Sequence, residues 1–133
     1  MKIATAICRV LLGIAFTVFG LNILHPFMPQ PPMVAGSLVA QFMTVMGPTH
    51  WMMIVGLFQI VGGLLVLIGR TAPLGLAILA PVLVNILCFH LFLENGDGIA
   101  PGVVFSVLEI FLIYAYRSYF MPLFTTKAVP ILS

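Results

Sequence analysis

Charge is what this sequence lacks most. It has three acidic residues (Glu94, Asp97 and Glu109) against five basic ones, and charged residues make up 6% of the 133-residue chain. A soluble domain of this length would expose far more charge. The net excess of two positive charges is too small to attract nucleic acid. Cysteine is scarce too: Cys8 and Cys88 stand alone, so there is no CxxC pair for thiol–disulfide exchange. Metal-ligand spacing among Cys and His is likewise missing, and no haem, flavin or iron–sulfur motif is present. No small-x-small cleavage site follows the first apolar run, so the N-terminus reads as an uncleaved span rather than a signal peptide.

What remains is apolar. Hydrophobic residues make up 62% of the chain, and mean hydropathy is +1.26. Four stretches are long enough for helices that cross a hydrocarbon layer needing ~20 residues. They run over about residues 2–24, 51–69, 73–94 and 99–117. The third carries Pro81, Asn85, His90 and Glu94. Pro81 has no N–H to offer the carbonyl of Ala77, so a kink is expected there. Between the first two spans lies a proline-rich loop (Pro26, Pro29, Pro31, Pro32), then a short apolar segment from Gly36-Ser37 to Gly47-Pro48. That segment is too short to span and reads as an interfacial or re-entrant helix, with a plain covering loop as the alternative. The predicted fold class is therefore all-α: a transmembrane four-helix bundle with one short extra interfacial or re-entrant helix between spans one and two, in a single domain over residues 1–133.

Small residues mark the packing faces. Arg9, Gly13, Phe16 and Gly20 share one stripe of span one. Gly56, Gln59 and Gly63 share a face of span two, widened by Gly62. Gly102, Ser106 and Glu109 do the same in span four. Four spans put both termini and the turn at Arg70 on one side, together with all five basic residues (Lys2, Arg9, Arg70, Arg117, Lys127). Glu94 and Asp97 fall on the other side. The positive-inside rule makes the basic side cytoplasmic.

Two polar layers follow. The inner one is Arg9, Gln59 and Glu109, about 10–16 Å from the basic anchors at 1.5 Å per residue. Opposite charges at one depth are expected to pair, so Arg9 and Glu109 form a predicted ion pair with Gln59 beside it. The plainer reading is a pin between spans one and four. The functional one is a buried site for a proton, an ion or a quinone headgroup. The outer layer is Asn22, His25, His50, Asn85, His90 and Glu94. Asn22, Asn85 and His90 are expected to line a water-accessible polar pocket. His90 and Glu94, spaced i, i+4, could bond a quinone carbonyl and relay a proton, or could be an interfacial pair half in water.

The pattern resembles a known family. Leu11-Leu-Gly-Ile-Ala-Phe-Thr-Val-Phe-Gly20-Leu-Asn22, preceded by Arg9, resembles the first span of DoxX-like membrane proteins. Gln59-Ile-Val-Gly-Gly-Leu-Leu-Val-Leu-Ile-Gly-Arg70 resembles the second. Pro81-Val-Leu-Val-Asn-Ile-Leu-Cys-Phe-His90 and Tyr116-Arg117 extend the likeness through spans three and four. The resemblance implies a four-helix membrane bundle in a bacterial-type cytoplasmic (inner) membrane. The family takes its name from the small subunit of a thiosulfate:quinone oxidoreductase, most members have no assigned reaction, and a eukaryotic relative is a receptor chaperone. It implies that Arg9 is the family's early arginine and Gly62-Gly63 its paired glycines. Many members carry Glu where this chain has Gln59, which removes an ionisable group from the inner layer. The implied function is a subunit or accessory of a quinone-linked membrane redox system. The cofactor would be a bound quinone, with none intrinsic, and the partners the bilayer and other membrane subunits or further copies of the chain. The alternatives are a non-catalytic structural subunit or assembly factor of a larger complex, and an oligomeric permease. No self-contained catalytic residue can be named.

Overall fold

The computed structural model describes residues 1–131. Its elements are α1 (Lys2–Leu24), α2 (Leu38–Met46), α3 (Trp51–Ile68), α4 (Ala72–Cys88), which continues into a π-helical turn (Phe89–Leu93), α5 (Ile99–Ala115), α6 (Arg117–Phe120) and a 3₁₀ turn (Met121–Phe124). Three helical segments are long and apolar enough to cross a membrane: Lys2–Leu24, Trp51–Ile68 and Ala72–Leu93. A fourth is counted if Ile99–Ala115 and the segment Arg117–Phe124, bent from it by 78°, form one span. The chain is thus a multi-pass membrane protein.

Each boundary has a local cause. Ser37 caps α2, its hydroxyl accepting from the N–H of Ala40 at 3.2 Å. With nine residues α2 reaches only ~13 Å and cannot span. The α3 helix ends at Gly69, whose φ of 79° lies in the left-handed region that favours glycine. A proline, Pro73, stands in the first turn of α4, where its missing N–H removes no helical bond. The helix then carries through Pro81, and one turn later the side chain of Asn85 donates to the Pro81 carbonyl at 2.9 Å. The turn after the π segment is built from Asn95, Gly96 and Gly98, all at positive φ.

The long helices close a ring of contacts: α1 packs on α3, α3 on α4, α4 on α5, and α5 back on α1. Glycine sets the two tightest seams. A Cβ on Gly63 would fall 2.6 Å from Thr17 Oγ1 and 2.8 Å from the Gly13 carbonyl, and one on Gly20 would fall 2.6 Å from the Gly56 carbonyl. Gly13 therefore faces Gly63 and Gly20 faces Gly56, which makes α1 and α3 antiparallel. Across the next seam a Cβ on Gly75 would lie 2.7 Å from the Gly62 carbonyl. Lipid gives helices no hydrophobic reason to associate, so close backbone approach and dispersion must hold them. The remaining core is Leu12, Phe16, Val66, Leu76, Leu79, Leu83 and Leu112. Phe105 of α5 meets both Phe16 and Phe19 edge-on, with ring centroids 5.8 Å apart.

Candidate functional site

The predicted inner layer does not assemble. Arg9 and Glu109 form no ion pair; among the described residues the one salt bridge is His90–Glu94. Arg9 instead reaches the end of α3, where Nη1 donates to the carbonyls of Leu67 at 2.8 Å and Val66 at 3.4 Å. The last carbonyls of a helix have no intrahelical donor and carry the negative end of its dipole. That makes them a ready partner for a guanidinium. Thr71 closes the same helix end by donating to Leu65 O at 2.8 Å. Gly69 leaves the space that the Arg9 guanidinium fills. Glu109 is 3% exposed, and neither of its oxygens has a partner.

The outer layer divides as well. Asn22, in the last turn of α1, serves the loop instead: its Oδ1 accepts from the N–H groups of Phe27 (3.0 Å) and Met28 (2.8 Å), folding the proline-rich loop back on the end of α1. His25 is exposed at the α1 terminus. His50 is exposed, with φ of 61°, immediately before α3. His90 and Glu94 do meet, through Nδ1 and Oε2, and Nδ1 also lies 3.1 Å from the Asp97 carbonyl. Both partners are acceptors, which assigns the ring hydrogen to Nδ1 and leaves Nε2 as an acceptor in the neutral ring.

The structure gathers a different set. A groove of about 880 Å³ runs along α3 and α4 and includes the π turn, with Phe42 and Met43 of α2 contributing to its wall. Its surface is mostly apolar and rich in aromatic rings: Phe42, Trp51, Phe58, Phe89 and Phe92. Phe42 meets Phe89 edge-on at 5.5 Å, and Phe89 meets His90 at 5.4 Å, tying α2 to the π turn. Three polar side chains line it: Gln59, Asn85 and His90. Gln59 is 4% exposed, and its Oε1 has no partner. Ala77, whose carbonyl Pro81 deprives of a donor, also lines the groove. The expected pocket of Asn22, Asn85 and His90 is thus corrected. Asn22 is not part of it, Gln59 is, and the lining is chiefly apolar, because all but two of the lining residues, Phe42 and Met43, come from the spanning segments, whose composition suits lipid.

Some of this lay beyond sequence reasoning. Phe42, Phe58, Phe89 and Phe92 read as ordinary packing residues, and only their convergence gives them meaning. The π turn carried one signal, the polar pair His90 and Glu94 at the end of an otherwise apolar span; such turns are frequent at functional sites. Cys8 and Cys88 are both free thiols, and Cys88 lines the groove. A second cavity, about 400 Å³, lies beside Lys2, Arg9 and Tyr116 at the other end of the chain's helices.

A family model described as DoxX matches residues 4–91. No curated protein and no solved structure matches the chain.

Proposed function

The chain belongs to the DoxX family, and from that premise we propose that it is a membrane subunit or accessory that holds a lipid-soluble quinone for a redox centre carried by another protein. One observation carries the reading: a groove of about 880 Å³ on α3 and α4, apolar and aromatic over most of its surface, with the deep amide of Gln59 and the His90 ring along it. An apolar body with a few placed polar groups is the usual form of a small-molecule site. A quinone matches it, because its ring stacks on aromatic faces, its oxygens need hydrogen-bond partners, and its tail is hydrocarbon. Several lining residues, Trp51, Ile54, Phe58 and Phe92 among them, are exposed on surfaces that face lipid, so a ligand dissolved in the bilayer can enter sideways.

In this reading α5 crosses as the fourth span of a four-helix bundle. The 78° bend after Ala115 lays α6 and the 3₁₀ turn along the inner surface. Both termini face the cytoplasm of a bacterial-type inner membrane, because Lys2, Arg70, Arg117 and Lys127 collect at that end. The groove then opens toward the outer half, and the His90–Glu94 pair lies between it and the outer aqueous side.

Purification from the native membrane in mild detergent, followed by solvent extraction, tests the reading. Quinone is expected near one equivalent per chain in the parent and at least tenfold less in Gln59→Leu, which removes the buried amide but keeps the volume. Absence of quinone from the parent, with a large partner complex retained, would instead support the structural-subunit or assembly-factor role.

A further inference from the structure

We propose that the cavity at the basic end of the helices holds the phosphate of an anionic lipid, drawn from the leaflet on that side of the membrane. The cavity, about 400 Å³, lies between the first turns of α1 and the elbow where α5 bends into α6. Lys2 and Arg9 of α1 and Tyr116 of the elbow line it, and no acidic residue does. Lys2 and Arg9 are two helical turns apart, so they stand on one stripe of α1, about 10 Å from each other along its axis. The lining shares no residue with the α3–α4 groove, so neither site depends on the other.

Arg9 has donors to spare. Its Nη1 donates to the carbonyls of Leu67 and Val66, and neither Nη2 nor Nε has a protein acceptor among the described residues. Its charge has no carboxylate partner either, since the one salt bridge among the described residues is His90–Glu94. The negative end of the α3 dipole offsets only about half an elementary charge. An ionised group inside the hydrocarbon is costly unless it is paired. A phosphate supplies both missing things, a negative charge and acceptor oxygens in the forked geometry that a guanidinium matches. The Lys2 ammonium and the Tyr116 hydroxyl bring further donors to the same cavity. The surroundings select a lipid as the source. Ile3 and Ile7 of α1 and Ile110 of α5 are exposed on surfaces suited to acyl chains. After the 78° bend, Tyr119, Met121, Leu123 and Phe124 are exposed beside Arg117, a composition that lies along a membrane interface and puts the elbow at headgroup depth. Basic pockets between helices at that depth take anionic headgroups. A headgroup with its own ammonium neutralises its phosphate and brings a charge that Lys2 repels, so the site favours lipid of net negative charge.

Native mass spectrometry of the full chain tests the site. The protein is released from detergent micelles holding equal amounts of phosphatidylglycerol and phosphatidylcholine with the same acyl chains. One phosphatidylglycerol adduct per chain is expected, favoured about tenfold over phosphatidylcholine, the scale set by one to two basic groups near a membrane surface. Lys2→Gln should cut the preference to about threefold. Lys127→Gln, which removes a charge outside the cavity, should leave it unchanged. Ala6→Phe keeps every charge and fills the cavity from an exposed position on α1. It should abolish the preference, and it serves if Lys2→Gln does not accumulate. Equal adducts with the two lipids overturn the proposal. Equal losses in Lys2→Gln and Lys127→Gln, or a parental preference in Ala6→Phe, mean diffuse attraction to the basic side and overturn the cavity as the site. Displacement of the lipid by millimolar inorganic phosphate overturns the lipid as its occupant.

Discussion

Gly63→Leu is expected to remove folded protein from the membrane. The first carbon of any side chain at this position would lie 2.6 Å from Thr17 Oγ1, 2.8 Å from the Thr17 nitrogen and 2.8 Å from the Gly13 carbonyl. Two of those three atoms belong to backbone and cannot rotate away. Overpacking a core where side chains can yield costs about 1–3 kcal/mol; here α1 and α3 must separate as rigid bodies, so the cost should exceed that range. Separation would also draw Arg9 away from the carbonyls of Leu67 and Val66, since that contact lies further along the same seam. Detergent-solubilised Gly63→Leu should elute as aggregate, or fail to accumulate, when followed by size-exclusion chromatography. Val107→Leu, on the outward face of α5 and 61% exposed, should match the parent. A monodisperse Gly63→Leu protein with parental melting would show that the seam is not the close contact described.

The second large effect concerns Arg9 and Glu109, which should behave as independent residues. Arg9→Met takes a charged donor from the end of α3 and should lower stability by about 1.5–3 kcal/mol, the range for hydrogen bonds to charged groups. Glu109→Leu should act in the opposite sense. It replaces a buried carboxyl group with two unpartnered oxygens by a side chain that needs none, and relief of such a burden is typically about 1–3 kcal/mol. The double variant should show the sum, with a coupling under about 0.5 kcal/mol, because the two residues share no partner. Reversible unfolding in mixed micelles measures all four corners of the cycle. Rescue of Arg9→Met by Glu109→Leu, with coupling above about 1 kcal/mol, would mean that the two charges meet.

The sequence expressed some of these features directly and hid others. Helix seams were legible because close approach in lipid demands small residues at helical spacing, and Gly13-Gly20, Gly56-Gly63 and Gly62 stand out from an apolar background. Helix ends were legible from Trp51, from Gly69-Arg70 and from the Asn95-Gly-Asp-Gly98 turn. The partner of Arg9 was not. Its acceptors are backbone carbonyls 57 and 58 residues away, and a carbonyl leaves no mark in a sequence. Depth alone made Glu109 look like the natural counter-charge, but depth does not fix which way a long side chain runs. Asn22 failed as a pocket residue for a similar reason: the amides of Phe27 and Met28 lie close in the chain and compete successfully for its oxygen. The groove was half visible. Pro81, Asn85 and His90 announced an unusual span, yet the aromatic wall draws on α2, whose position over the π turn depends on the loop between Leu24 and Leu38, which no periodicity describes.

Photoaffinity labelling tests the central claim most directly. A short-tailed quinone carrying an azide on its ring, activated in native membranes and followed by peptide mapping, should label residues 51–59 and 77–93, the α3 and α4 walls of the groove. Excess unlabelled quinone should suppress that labelling, and Gln59→Leu should reduce it several-fold at a fixed probe concentration. Labelling spread over the lipid-facing residues of α1 and α5, undiminished by competitor, would contradict the account and leave the groove as a gap filled by lipid.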